Sequence, residues 1–248
     1  MKRIWRLVVL VLVAGIGLQL FFLVRVALAA TVAPQSTTFQ RSEAWRIATG
    51  SKPFRWRQQW VPYGRISDNL KRAVIASEDD SFATHEGVDW EALEKAWERN
   101  AAAEARAARP PQRASTRSQL APVKRPKIVG GSTITQQLAK NLLLSGERTF
   151  LRKGQEIVLT FALERMLSKA RILEIYLNSV EWGEGVFGAE AAARHYYRKG
   201  AAQLSPYEAA RLAVMLPRPK SFEKLSNSGY LASRASTIVA RMRDAELP

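Results

Sequence analysis

Cysteine is absent from the 248 residues, and there are only two histidines, His85 and His195. Without cysteine there is no disulfide, thiolate metal site or cysteine nucleophile, and the compartment is left open. His85-Glu86 lacks the second histidine of a zinc protease. Acid is also scarce: 22 Asp and Glu stand against 38 Lys and Arg, a net charge of +16. Such an excess implies an anionic partner, whether nucleic acid, anionic lipid or a phosphorylated substrate. Internal repeats and alternating strand patterns of useful length are missing, so an all-α, mainly helical fold is expected. The 47% hydrophobic content suits a globular core. Ser221–Lys224 fits S-x-x-K and Ser67-Asp68-Asn69 reads S-D-N, but in the wrong chain order and with no K-T-G, so serine acylation chemistry is excluded.

The first thirty residues carry the longest apolar run. Lys2, Arg3 and Arg6 precede Leu7–Val24, interrupted only by Gln19, with Arg25 beyond. With the flanking apolar residues the run is long enough to span a bilayer. Its charge bias predicts a cytoplasmic N-terminus and an external remainder. A cleaved signal peptide fits less well, because the apolar region is too long and Arg25 lies against the small-residue site. The expected organisation is therefore an anchor over 1–30, a juxtamembrane segment over 31–64 and a globular domain over 65–248. Thr31–Gly50 shows no strong pattern. Phe54, Trp56, Trp60 and Tyr63, interleaved with Arg55 and Arg57, read either as an interfacial belt or as core contacts.

Ser67 caps a predicted helix through Leu70, Val74 and Ile75 that delivers Glu78 at its end. Asp89 caps another, with Leu93 and Trp97 on its apolar side. Arg109–Lys127 then combines four prolines and six cations with no acid, and reads as a flexible basic insertion. Ser132 is the expected cap of a helix whose Ile134, Leu138 and Leu142 pack, leaving Thr133, Gln136, Gln137 and Lys140 together on another side. The segment Ile157–Leu163 is apolar nearly all round and reads as a buried central helix. Further helices follow Ser168 and the capping box Ser205-Pro206-Tyr207-Glu208, and an amphipathic one closes the chain.

Two carboxylate centres stand out. Glu78, Asp79 and Asp80 end one helix; Glu156 lies three and four residues beyond Lys153 and Arg152, on the same helical face, with Arg148 near. Paired carboxylates from separate elements suit chemistry at a sugar carbon. Cations beside one of them argue for a leaving group that is already anionic, such as a pyrophosphate. Taken alone, the first cluster also reads as a solvated turn and the second as a surface salt-bridge patch.

Five motifs in order weigh most. They are EDDSFATHEGVD from Glu78, GGSTITQQLAKN from Gly130, RKGQE from Arg152, RILEIYLN from Arg171 with GEGVFGAEAAA following from Gly183, and ARLAVMLPRP from Ala210. Together they resemble the signatures of the peptidoglycan glycosyltransferases, in the short, singly anchored form that lacks a transpeptidase domain. The basic insertion over 109–127 departs from the family, where this link is shorter. The resemblance implies a lysozyme-like glycosyltransferase domain behind one transmembrane helix, at the outer face of the bacterial cytoplasmic membrane. Its substrates would be lipid II and nascent glycan strands, with membrane lipid and the cell-wall synthesis machinery as partners and no nucleic acid. Glu78 and Glu156 match the catalytic carboxylates, Glu78 as base. Asp79, Ser132, Gln136, Gln137, Lys140, Arg148, Arg152 and Lys153 match substrate-binding positions. The resemblance also allows a divalent cation, Mg2+ or Mn2+, at Asp79. The rival readings are a lytic enzyme that cleaves finished glycan and an anchored binder of nucleic acid or anionic lipid.

Overall fold

The computed structural model describes residues 1–51, 53–107, 131–147, 149–225 and 228–248. The described helices are α1 (Lys2–Thr31), α2 (Thr38–Ala48), α3 (Asp68–Glu78), α4 (Trp90–Ala107), α5 (Ile134–Leu143), α6 (Phe150–Met166), α7 (Lys169–Ser179), α8 (Ala189–Tyr197), α9 (Pro206–Met215), α10 (Pro219–Glu223) and α11 (Gly229–Arg241). The fold is mainly helical, as expected from the missing strand patterns. One small sheet is nevertheless present: β1 (Arg57–Gln58), β2 (Glu181–Gly183) and β3 (Val186–Phe187), in the order β1-β3-β2. β1 runs parallel to β3 and β2 antiparallel to it with a bulge. Strands of two or three residues are too short to leave an alternating pattern in sequence.

The chain forms two compact units, one of Met1–Gly87 with Thr133–Pro248 and one of Val88–Ser132. In the first, α9 packs on α3 and α11, and α5 packs on α6 and α7. Small residues let α3 and α9 approach closely: Ala73 and Ala76 face inward from α3, and Ala209, Ala210 and Ala213 from α9, all buried. Leu70, Ile75 and Leu212 fill the space between, with Leu231, Ala235 and Ile238 of α11 beside them. The predicted packing row Ile134, Leu138 and Leu142 of α5 is fully buried. Ser67, Ser168 and Ser205 each accept from a backbone N–H at the start of α3, α7 and α9, as their positions predict.

α1 is 30 residues long, which at 1.5 Å per residue is about 45 Å, more than the thickness of a hydrocarbon core. Nearly all its large apolar side chains are exposed. It lies against α6, where Gln19 and Gln155 exchange hydrogen bonds of 2.7 and 2.9 Å. Two expectations change here. The stretch over 31–50 holds α2, begun by a capping box between Thr37 and Gln40 that a T-x-x-Q spacing encodes. α6 is not buried on all sides: Leu159 and Leu163 are, while Val158 and Phe161 are 54% and 45% exposed. An all-apolar helix can meet core or membrane, and its composition does not distinguish them.

In the second unit Asp89 caps α4 by accepting from the Ala92 N–H at 2.7 Å. Leu93 and Trp97, expected on a packed side, are 42% and 77% exposed together with Trp90. Ala96 is the buried residue of this helix instead. The insertion over 109–127 lies outside the described residues.

Candidate active site

The three adjacent acids at the end of α3 separate into three environments. Glu78 is the last helical residue and its Oε2 accepts from Gln137 Nε2 at 2.9 Å. Burial pushes its pKa up; the Gln137 hydrogen bond works against that, and the neighbouring Asp79 charge adds to it. Asp79 is buried and turns the other way. Its Oδ1 is 2.9 Å from His85 Nε2, and its Oδ2 accepts from the Ile134 N–H, at the first turn of α5, at 2.8 Å. Asp80 is exposed and pairs with Arg241 of α11.

His85 completes the support. Its Nδ1 accepts from the Gly87 N–H at 3.0 Å, so the ring proton sits on Nε2 and is donated to Asp79. Gly87 has φ +90°, and a Cβ there would stand 2.7 Å from Thr160 Cγ2. Only glycine fits that backbone, and its carbonyl accepts from Thr133 Oγ1 at 2.6 Å. The loop after Glu78 is thus tied to the start of α5 by two separate bonds, Asp79 to Ile134 and Gly87 to Thr133.

α5 brings Gln137 to Glu78. Its amide is oriented from behind, because Tyr176 of α7 donates its hydroxyl to Gln137 Oε1 at 3.0 Å. Burial first, and then the charges of Glu78 and Asp79, hold the Tyr176 hydroxyl well above its usual range, so it remains a donor. Thr133, rather than the expected Ser132, is the N-cap of α5. The extra hydrogen-bonding partner decides this: Gln136 and Thr133 form a reciprocal capping box at 3.1 and 3.2 Å. Gln136 is therefore buried in its own helix cap, whereas Lys140, one turn on, is exposed. Ser132 is exposed and belongs to the second unit, and Arg148 lies outside the described residues.

The second centre is built within α6. Thr149 caps the helix, and Glu156, in its second turn, is only 3% exposed. Arg152 Nη1 donates to Glu156 Oε2 at 2.7 Å and Lys153 Nζ to Oε1. Burial of this carboxylate rules out the surface-patch reading. Arg152 is itself mostly buried, and its Nε has no partner within the protein among the described residues. Lys153 remains 43% exposed, so the pair offers positive charge outward from a buried carboxylate.

Asp79 offers no open donor set for a divalent cation. Both its oxygens hold protein N–H groups, and no cluster of three metal-binding side chains occurs among the described residues. No local pattern marks His85 or Tyr176: His85-Glu86 lacks the second histidine of a zinc site, and Tyr176 stands among the apolar residues of α7.

Comparison with known proteins adds the relatives. Residues 47–119 and 111–243 match a family described as transglycosylase. The chain is 51% identical over 236 residues to the biosynthetic peptidoglycan transglycosylase of Burkholderia orbicola (strain MC0-3), covering 95% of this chain and 87% of that protein. The proteins of the same name from Burkholderia ambifaria (strain MC40-6) and Burkholderia multivorans (strain ATCC 17616 / 249) are 51% and 50% identical, with the same coverage.

Proposed function

The chain belongs to the transglycosylase family and is a peptidoglycan glycosyltransferase, and from that premise we propose that it polymerises lipid II into glycan strands. Glu78 is the base. It takes the proton from the 4-hydroxyl of the acceptor sugar as that oxygen attacks C1 of the donor strand. The donor's C1–O bond breaks on the opposite face, with inversion, and undecaprenyl pyrophosphate departs.

The observation that carries this reading is the contrast between two carboxylates, Glu78, half-buried and facing one amide, and Glu156, buried between two cations. Partial burial keeps Glu78 more basic than an ordinary carboxylate, which suits general base work, a contribution of about 10²- to 10⁴-fold. Glu156 holds Arg152 and Lys153 in place, and these cations stabilise the charge that grows on the pyrophosphate. Gln137 aims the Glu78 carboxylate, and Lys140 is a further cation for the donor's diphosphate. Asp79 and His85 position the loop.

The positive charge of Lys2, Arg3 and Arg6 at the start of α1 supports a cytoplasmic N-terminus, with the catalytic domain on the outer face of the cytoplasmic membrane. Lipid II turnover by the purified full chain tests the proposal. Polymer should accumulate and undecaprenyl pyrophosphate be released, with no digestion of isolated sacculi. Digestion without polymerisation would identify a lytic enzyme instead.

A further inference from the structure

A cavity of about 490 Å³ lies among the loop after β1, the end of α8 and the turn that follows it. It shares no residue with the Glu78 and Glu156 centres. Arg65, Arg194, Arg198 and Lys199 line it, against one carboxylate, Glu190. That carboxylate is already matched: Arg194 Nε donates to Glu190 Oε1 and the Ala201 N–H to Oε2, both at 2.7 Å. Lys199 pairs with Glu208 at 2.9 Å. Arg65 and Arg198 are both exposed, and among the described residues neither guanidinium has an ion-pair or hydrogen-bond partner.

Arg198 carries a second observation. It is the one non-glycine residue with positive φ among those described, at 58°, in the left-handed cap of α8. Glycine would hold that backbone without strain. The chain instead places a cation there, at the rim of the cavity.

The position relative to α1 indicates what this charge meets. Trp60 also lines the cavity. Its ring lies 5.6 Å from the guanidinium of Arg171, whose Nε donates to the Ala29 carbonyl, in the last turn of α1, at 2.9 Å. The cavity therefore stands two side-chain contacts from the end of the membrane-spanning helix, the level at which tryptophans and lipid headgroups meet. Lipid phosphates lie at that level, and guanidinium groups without a protein partner bind phosphate through charge-assisted hydrogen bonds.

We propose that this cavity is a phosphate-binding pocket in which Arg65 and Arg198 engage the phosphate of an anionic phospholipid headgroup or its soluble equivalent, separately from the catalytic site. The full chain in neutral detergent micelles, supplemented with phosphatidylglycerol or phosphatidylcholine, is examined by native mass spectrometry to count retained lipid. Glycerol phosphate is titrated calorimetrically in parallel. Wild type should retain phosphatidylglycerol over phosphatidylcholine. Arg65→Glu, and Arg65→Gln combined with Arg198→Gln, should weaken that retention at least tenfold with unchanged melting temperature. Arg65→Glu, at an exposed position away from the α8 cap, keeps the test valid if the Arg198 substitution disturbs that cap.

Arg152→Gln, which affects the Glu156 centre, should leave this retention unchanged, so failure here is distinct from failure of the catalytic proposal. Variant-sensitive binding of glycerol phosphate without a lipid preference would support the pocket with a soluble ligand. Equal retention of both lipids, and glycerol phosphate binding that is unaffected in the Arg65 and Arg198 variants, would overturn the proposal.

Discussion

Glu78 ends a helix and faces a single amide, whereas Glu156 sits in the second turn of another helix between two cations. Both are carboxylates taken largely out of water, and their neighbours make them different reagents. Around Glu78, burial outweighs the one hydrogen bond from Gln137, so the group holds its proton more tightly than in solution. Around Glu156, the charge is matched, and the carboxylate acts as a brace for the guanidinium and ammonium that clasp it. A buried ion pair contributes little net stability, so the fixed orientation of Arg152 and Lys153 is the more useful product of the arrangement.

If that contrast is right, the two carboxylates should fail in different ways. Glu78→Gln should show the largest effect, lowering polymerisation by about 10²- to 10⁴-fold while binding of lipid II is largely kept. Its stability has a defined sign. Because the folded-state pKa of Glu78 is raised, the folded protein holds more protons than the unfolded one between the two titration ranges, and stability falls as pH rises through that window. Thermal melts should find Glu78→Gln at least as stable as wild type at neutral pH. The advantage should vanish once the pH falls below the ordinary carboxylate range.

Glu156→Gln should reverse the pattern. It leaves a mostly buried Arg152 short of its counter-charge, which costs roughly 2–3 kcal/mol and should appear as a lower melting temperature. Turnover should fall less than for Glu78→Gln, with part of the loss in weaker affinity for a diphosphate-bearing donor. Calorimetric titration with the donor lipid checks this.

Tyr176→Phe should have the smallest effect. It removes the hydroxyl that fixes the Gln137 amide, worth about 1 kcal/mol or roughly fivefold in rate. The loss should lie in kcat more than KM. A variant with unchanged kinetics would show that Gln137 needs no support.

The helices that carry these groups were legible in sequence because their caps and apolar spacings are local. Ser67 and the row Leu70, Val74 and Ile75 were sufficient to place Glu78 at a helix end. Arg152, Lys153 and Glu156 share a helical face by spacing alone. The partners that define the Glu78 site come from far along the chain, Gln137 from 59 residues away and, behind it, Tyr176 a further 39. No local pattern marks such partners. Gln136 and Gln137 look equivalent in sequence, yet Thr133 takes the first for the helix cap and leaves the second to face Glu78. Trp97 and Phe161 show a related limit, since apolar character records an aversion to water but not what covers the side chain.

The most direct test of the contrast is the pH dependence of kcat/KM for lipid II polymerisation in wild type, Gln137→Leu and Glu156→Gln. Asp79 and Gln137 are the groups that act on Glu78, and Gln137 lowers its pKa. Removing that amide should therefore move the acid limb of the profile to higher pH, and Glu156→Gln should reduce the rate with the limb in its wild-type position. A limb that moves in Glu156→Gln and stays fixed in Gln137→Leu would contradict the account and make Glu156 the base.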